Sequence, residues 1–167
     1  MSQRALKELL RGQGSHADPI ACVEDISAEV AARHVAGFPH SIGQIVSHMN
    51  YWMRYELRRI RDEKPRYPEH NAESFPPSPS PANPREWDSL RQDFSQLLTE
   101  YAALAESSEH EMQREIPRAS ASDQKVAGTL EAVLWQMVVH NSYHVGQIAF
   151  IRRKQGVWPP QAGGDTW

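Results

Sequence analysis

Residues 41–64 read SIGQIVSHMNYWMRYELRRIRDEK, and this stretch decides the fold class. Ser41 and Gln44 stand at the S-x-x-Q spacing of a capping box, in which each side chain satisfies an amide that a helix start leaves without a partner. Ile42, Ile45, Val46, Met49, Trp52, Met53, Leu57 and Ile60 then recur at steps of three and four, which puts them on one helical face. The predicted helix runs from Ile42 to about Glu63, with that face turned to a core.

Working outward, NPREW (83–87) carries three start signals at once. Asn83 can cap, Pro84 suits the first helical position because its missing N–H is not needed there, and Glu86 has capping-box spacing. Trp87, Leu90, Phe94, Leu97, Leu98, Tyr101 and Leu104 continue the stripe to about Ala105. A third helix is predicted after Thr129 as N-cap, with Glu131 in its first turn and Arg152, Arg153 and Lys154 before Gly156 at its end. The N-terminal forty residues suggest one helix in RALKELLRG and a short one in DPIACVEDI, started by Asp18 and Pro19. No segment reads as a convincing set of alternating strands.

Two connections separate the long helices. Residues 64–84, KPRYPEHNAESFPPSPSPANP, hold seven prolines, which forbid a continuous helix and favour an extended surface arm. Residues 106–128 form a second long connector, so the bundle is not a simple up-and-down arrangement with tight turns. The expected fold is therefore all-α, in one domain spanning residues 1–167. No internal repeat is visible.

Composition excludes several functions. A hydrophobic fraction of 40% with 23% charged residues describes a globular chain with a core. A net charge of −3 gives no bulk attraction to nucleic acid or anionic membranes. No apolar run reaches the roughly 18 residues of a membrane span. The single cysteine, Cys22, cannot form an internal disulfide, and MSQRALKELLRGQG lacks a signal-peptide core, so a cytoplasmic location is expected.

The chemistry-bearing residues are histidines. VLWQMVVHNSYHVGQIAFI (133–151) places His140 and His144 four apart in an apolar helix, on one face and offset by about 40°. The spacing is that of a zinc helix, but Asn141 stands where a zincin has its glutamate base. Such a pair is also compatible with two hydrogen-bonded core histidines. His48 shifts the balance, because it lies beside the core stripe of the first long helix, and bundles build metal sites from inward-pointing side chains of facing helices. His16, His34, His40, His70 and His110 fall in loops or polar stretches and read as solvated.

PHSIGQIVSHMNYW (39–52) and HNSYHVGQIAFIRR (140–153) together resemble the DinB-like family of bacterial metalloproteins. The resemblance extends over the proline-rich arm, the WDSL helix and the H-x-x-x-H-x-G-Q string of the last helix. It implies a four-helix bundle with long crossover connections, a homodimer, and a divalent metal held by His48, His140 and His144. Some members transfer a low-molecular-weight thiol of the bacillithiol, mycothiol or glutathione type onto small electrophiles.

Three neutral imidazoles leave a coordination position open, the pattern of a catalytic site. Imidazole suits several transition metals, with zinc or nickel expected here. A bound thiol would be deprotonated, giving a thiol S-transferase acting on a small-molecule substrate. A bound water would instead give a hydrolase. A non-catalytic metal-binding stress protein is the third reading. Helical spacing nominates Gln44, Tyr51 and Gln147 to line the cavity around the ligands. Trp52 and Trp135 are expected in the core. Arg152 and Arg153 could draw in an anionic thiol, although basic residues at a helix end more often complement its dipole.

Overall fold

The computed structural model describes residues 3–119 and 128–163. The end of the second connector, residues 120–127, and Trp167 lie outside the described residues. Among the described residues seven α-helices follow in order: α1 (Gln3–Leu10), α2 (Ala21–Glu24), α3 (Ala28–Ala32), α4 (Ile42–Ile60), α5 (Pro84–Leu104), α6 (Glu109–Met112) and α7 (Leu130–Gln155). Two short strands, β1 (Glu115–Ile116) and β2 (Gly128–Thr129), pair antiparallel just before α7. That pair is too short for any alternation to be legible in the sequence.

α4, α5, α1 and α7 form the four-helix ring, in which α4 contacts both α5 and α7 while α1 closes the other side against the same two helices. The all-α bundle expected from the sequence is the fold observed. The whole apolar stripe predicted for α4 is buried. On α5, Trp87, Phe94, Leu97, Leu98 and Tyr101 are buried against it. At about 1.5–3 kcal/mol per large apolar side chain, these faces are the main force holding the ring together.

The caps are those the sequence announces. Ser41 Oγ accepts from Gln44 N at 3.3 Å while Gln44 Oε1 accepts from Ser41 N at 3.0 Å. Asn83 Oδ1 accepts from Glu86 N at 3.0 Å, whereas the Glu86 carboxylate reaches past Asn83 to Ala82 N at 2.7 Å. Thr129 Oγ1 accepts from Ala132 N, and Gly156 ends α7 in the left-handed conformation at φ 73°. α4 stops at Ile60 rather than about Glu63, because Asp62 turns to φ 60° and leaves the helical path. Asp18 Oδ1 accepts from Ile20 N and Ala21 N, so the short helix begins where Asp18 and Pro19 suggest.

The proline-rich connection is more than a surface arm. It contains a single 3-10 turn at Asn71–Ser74, buries Ser74 and Ser80, and lies directly on the start of α4. Contact is this close because residue 43 is glycine: a Cβ there would overlap the Ser80 carbonyl and the Pro81 ring. Ser41 Oγ donates to Ser80 O at 3.0 Å and Gln44 Nε2 donates to Pro76 O at 2.8 Å. The arm is thus anchored across the end of the bundle where the histidines lie.

Candidate metal centre

α4 presents His48 and the adjoining α7 presents His140 and His144, one turn apart. The three side chains predicted from sequence meet in the seam between those helices, with one ligand atom from each lying within 4.8 Å of the others. Ring centroids are 5.2 Å apart for His48 and His140, 4.7 Å for His48 and His144, and 4.6 Å for His140 and His144. His48 and His144 are buried and His140 is half-buried. Among the described residues, this group contains no carboxylate.

Hydrogen bonding decides which nitrogen each ring offers. His144 Nδ1 lies 2.7 Å from Gln147 Oε1, an amide oxygen that only accepts, so the proton sits on Nδ1. His140 Nδ1 faces Asn141 Oδ1 at 3.3 Å, with Asn141 Nδ2 turned to Met53 Sδ. His48 Nδ1 lies 2.7 Å from Ser74 Oγ, whose one proton is donated to Asn71 O at 2.5 Å, leaving the hydroxyl to accept. With the proton on Nδ1, a neutral ring would carry its lone pair on Nε2, in the manner of imidazoles oriented for metal binding.

The Nε2 atoms of His48 and His140 are 3.2 Å apart. With both rings protonated on Nδ1 this contact has no hydrogen to share, and a cation bound to both nitrogens would take its place. Nitrogens bonded at about 2.0–2.1 Å to a tetrahedral zinc are about 3.3 Å from one another, so the observed gap has the right size. The donor set fits a divalent transition metal: three neutral imidazoles could hold one and leave a position open.

The walls are aromatic. The Phe75 ring from the arm stacks on His48 at 4.0 Å and on His40 at 3.8 Å, forming a three-ring sandwich. Trp52 meets His48 edge-on at 6.4 Å, and Tyr143 meets His144 at 5.1 Å. Burial holds His144 below the ordinary histidine pKa, with the bond to Gln147 acting in the opposite sense and the nearby His40 adding to the depression. A histidine kept neutral in this way is ready to ligate at neutral pH.

Of the residues expected to line the cavity, Gln147 holds His144 directly. The Gln44 side chain is occupied by the helix cap and by Pro76 O. Tyr51 is half-buried with its ring against Trp52 at 5.3 Å, and burial together with Glu73 raises its pKa. It faces a cavity of about 420 Å³ that also reaches Ser74. Arg152 does not serve a ligand near the histidines. It is buried and bound to Asp25 Oδ1 at 2.8 Å, Cys22 O at 2.8 Å and Val157 O. Arg153 lies over the Trp158 ring at 5.2 Å.

Ser74, Phe75, His40 and Asn141 are the contributors that sequence reasoning missed. Three of the four lie outside the α-helices, where no periodicity flags them. Asn141 sits inside the quoted motif, yet its value depends on the amide oxygen turning back to its neighbour.

The family model of the DinB superfamily matches residues 16–148. That span includes α4, α5, the arm and both α7 histidines, and the chain belongs to this superfamily. No curated protein matches the chain.

Proposed function

We propose that the chain binds one divalent metal through His48, His140 and His144 and transfers a low-molecular-weight thiol onto a small electrophile. The approach of one ligand nitrogen from each of the three histidines to within 4.8 Å of the others, with no carboxylate in the group, is the observation that carries this reading. When bound, the metal supplies Lewis acidity, which converts a thiol to a thiolate without a protein base. The same Lewis acidity acting on a bound water would give a hydrolase, so dependence on an added thiol separates the two readings.

The thiol has to come from outside the chain. Cys22, the one cysteine, is fully buried, and burial pushes its pKa up to about 12. It is held among backbone carbonyls that bind Arg152 and plays a structural part. The protein's own task is to orient the three imidazoles through Ser74, Asn141 and Gln147, and to shield the site with Phe75, Trp52 and Tyr143. The sulfur–carbon bond forms as the electrophile's leaving group departs with its electron pair, while the thiol proton passes to solvent.

Pairing with a second copy belongs to the same proposal. Among the described residues, Val139, Tyr143 and Phe150 are the large apolar side chains left exposed, and their spacing puts them on one strip of α7 beside the ligands. Among the described residues no helix is long and apolar enough to cross a membrane.

The test is a turnover assay with zinc- or nickel-loaded protein, a panel of small electrophiles, and glutathione, bacillithiol or mycothiol added singly. Product formed only when a thiol is present, and abolished by a chelator, supports the transferase. Chelator-sensitive turnover without thiol would replace it with the hydrolase reading. A loaded protein inert toward every pair would leave a metal-binding protein without this catalysis.

A further inference from the structure

We infer that Ser74, carried by the proline-rich arm, is the positioning residue that fixes His48 as a ligand, so that docking of the arm and binding of the metal are one coupled equilibrium. This rests on the three-histidine reading above.

The three orienting acceptors are not equivalent. Gln147 and Asn141 sit on α7 with the histidines they hold, and so they stay in reach as long as the helix exists. Ser74 is 26 residues beyond His48 and reaches it across a loop. It is the acceptor that can leave while both helices stand. Its hydroxyl is buried, and its proton goes to Asn71 O within its own 3-10 turn. Ser74 therefore faces His48 as an acceptor and selects the tautomer with the proton on Nδ1 and the lone pair on Nε2.

The neighbouring contacts make the arm act as a unit at this place. Phe75 is clasped between His40 and His48, and Pro76 O is held by Gln44. Farther along, Ser78 Oγ lies 3.0 Å from His34 Nε2, and Ser80 O accepts from Ser41. A cation on His48 Nε2 withdraws charge from the ring and makes Nδ1–H a stronger donor to Ser74. By linkage, whatever metal does to hold the arm, the docked arm does equally to hold metal.

The experiment compares wild type, Ser74→Ala, Ser74→Thr and His144→Ala as purified apo-proteins. Zinc is titrated against a competing chelator, and amide exchange of residues 71–81 is followed with and without zinc. Zinc should slow exchange of the arm in wild type. Ser74→Ala should bind zinc about 10- to 100-fold more weakly and lose that slowing, with unchanged helicity, while Ser74→Thr, which keeps the hydroxyl, should restore both. Zinc that binds wild type and not His144→Ala, yet binds Ser74→Ala as tightly as wild type, would overturn this inference alone. So would zinc binding that leaves arm exchange in wild type unaltered. Wild type that takes up no zinc would overturn the three-histidine reading and this inference together.

Discussion

The Nε2 atoms of His48 on α4 and His140 on α7 face each other at 3.2 Å, although the residues are 92 positions apart in the chain. Helix packing brings them together, and side-chain hydrogen bonds on the far side of each ring turn their lone pairs inward. The site is thus a product of the bundle seam rather than of one motif. Residues that hold the rings and residues that hold the seam should then affect it in separable ways.

Gln147 tests the first kind. Gln147→Leu removes the oxygen that receives the His144 Nδ1 proton and leaves the buried face of α7 unchanged. Zinc affinity should fall about 10- to 100-fold in a chelator competition, with the far-ultraviolet dichroism of wild type. Wild-type affinity in this variant would show that ring orientation is set elsewhere.

Cys22 should be inert in the folded protein. With its thiol fully buried and its pKa at about 12, only roughly one part in ten thousand is thiolate at pH 8. Ellman's reagent should therefore find no reactive thiol in native protein and one per chain in denaturant. Rapid labelling of the native state would contradict the buried, structural place of Cys22.

Asp25 gives a pH-dependent prediction. Burial alone would raise its pKa, but hydrogen bonds from Arg152 and Gln161 and the charge of Arg152 outweigh burial, so the folded value lies below the ordinary 3.8. A carboxylate with a depressed folded pKa stabilises the protein above its unfolded pKa, and that contribution is lost as pH falls through the folded value. Asp25→Asn should lower stability at pH 7 by about 1 kcal/mol, well below the about 3–5 of a fully buried pair, because Asp25 is solvent-exposed and water screens the pairing. In urea titrations, the gap between variant and wild type should narrow as pH drops below 3.8. A gap that is constant down to pH 2 would contradict the pairing.

Gly43 separates helix propensity from packing. In an isolated helix Gly→Ala adds about 1 kcal/mol, yet a Cβ at this position meets Ser80 O and Pro81 of the arm. Gly43→Ala should instead destabilise by about 1–3 kcal/mol and speed amide exchange in the arm. A gain in stability would mean that the arm is not seated on α4.

Much of this was legible because it is local. The capping pairs at Ser41, Asn83 and Thr129, the apolar stripes of α4 and α5, and the terminating Gly156 all act within a few residues of themselves. The histidine cluster was legible for a related reason: His140 and His144 share a face by helical period, and His48 lies beside the apolar stripe of α4. Contacts made by irregular chain were not. Nothing in NAESF signals that Ser74 will receive a proton from His48 or that Phe75 will lie between two imidazoles. Arg152 reads locally as a residue that complements a helix dipole, and burial under the α2 segment makes it an ion-paired core residue instead. Gln44 shows the reverse case, since the capping box that announces the helix also occupies the side chain.

The most direct measurement is the metal content of untagged protein by plasma mass spectrometry, for wild type beside His48→Ala. About one zinc or nickel per chain is expected in wild type and none in the variant, with helical content preserved in both, because a core of this size does not depend on metal for folding. Equal metal in the two proteins, or none in wild type after reconstitution, would contradict a site built across α4 and α7.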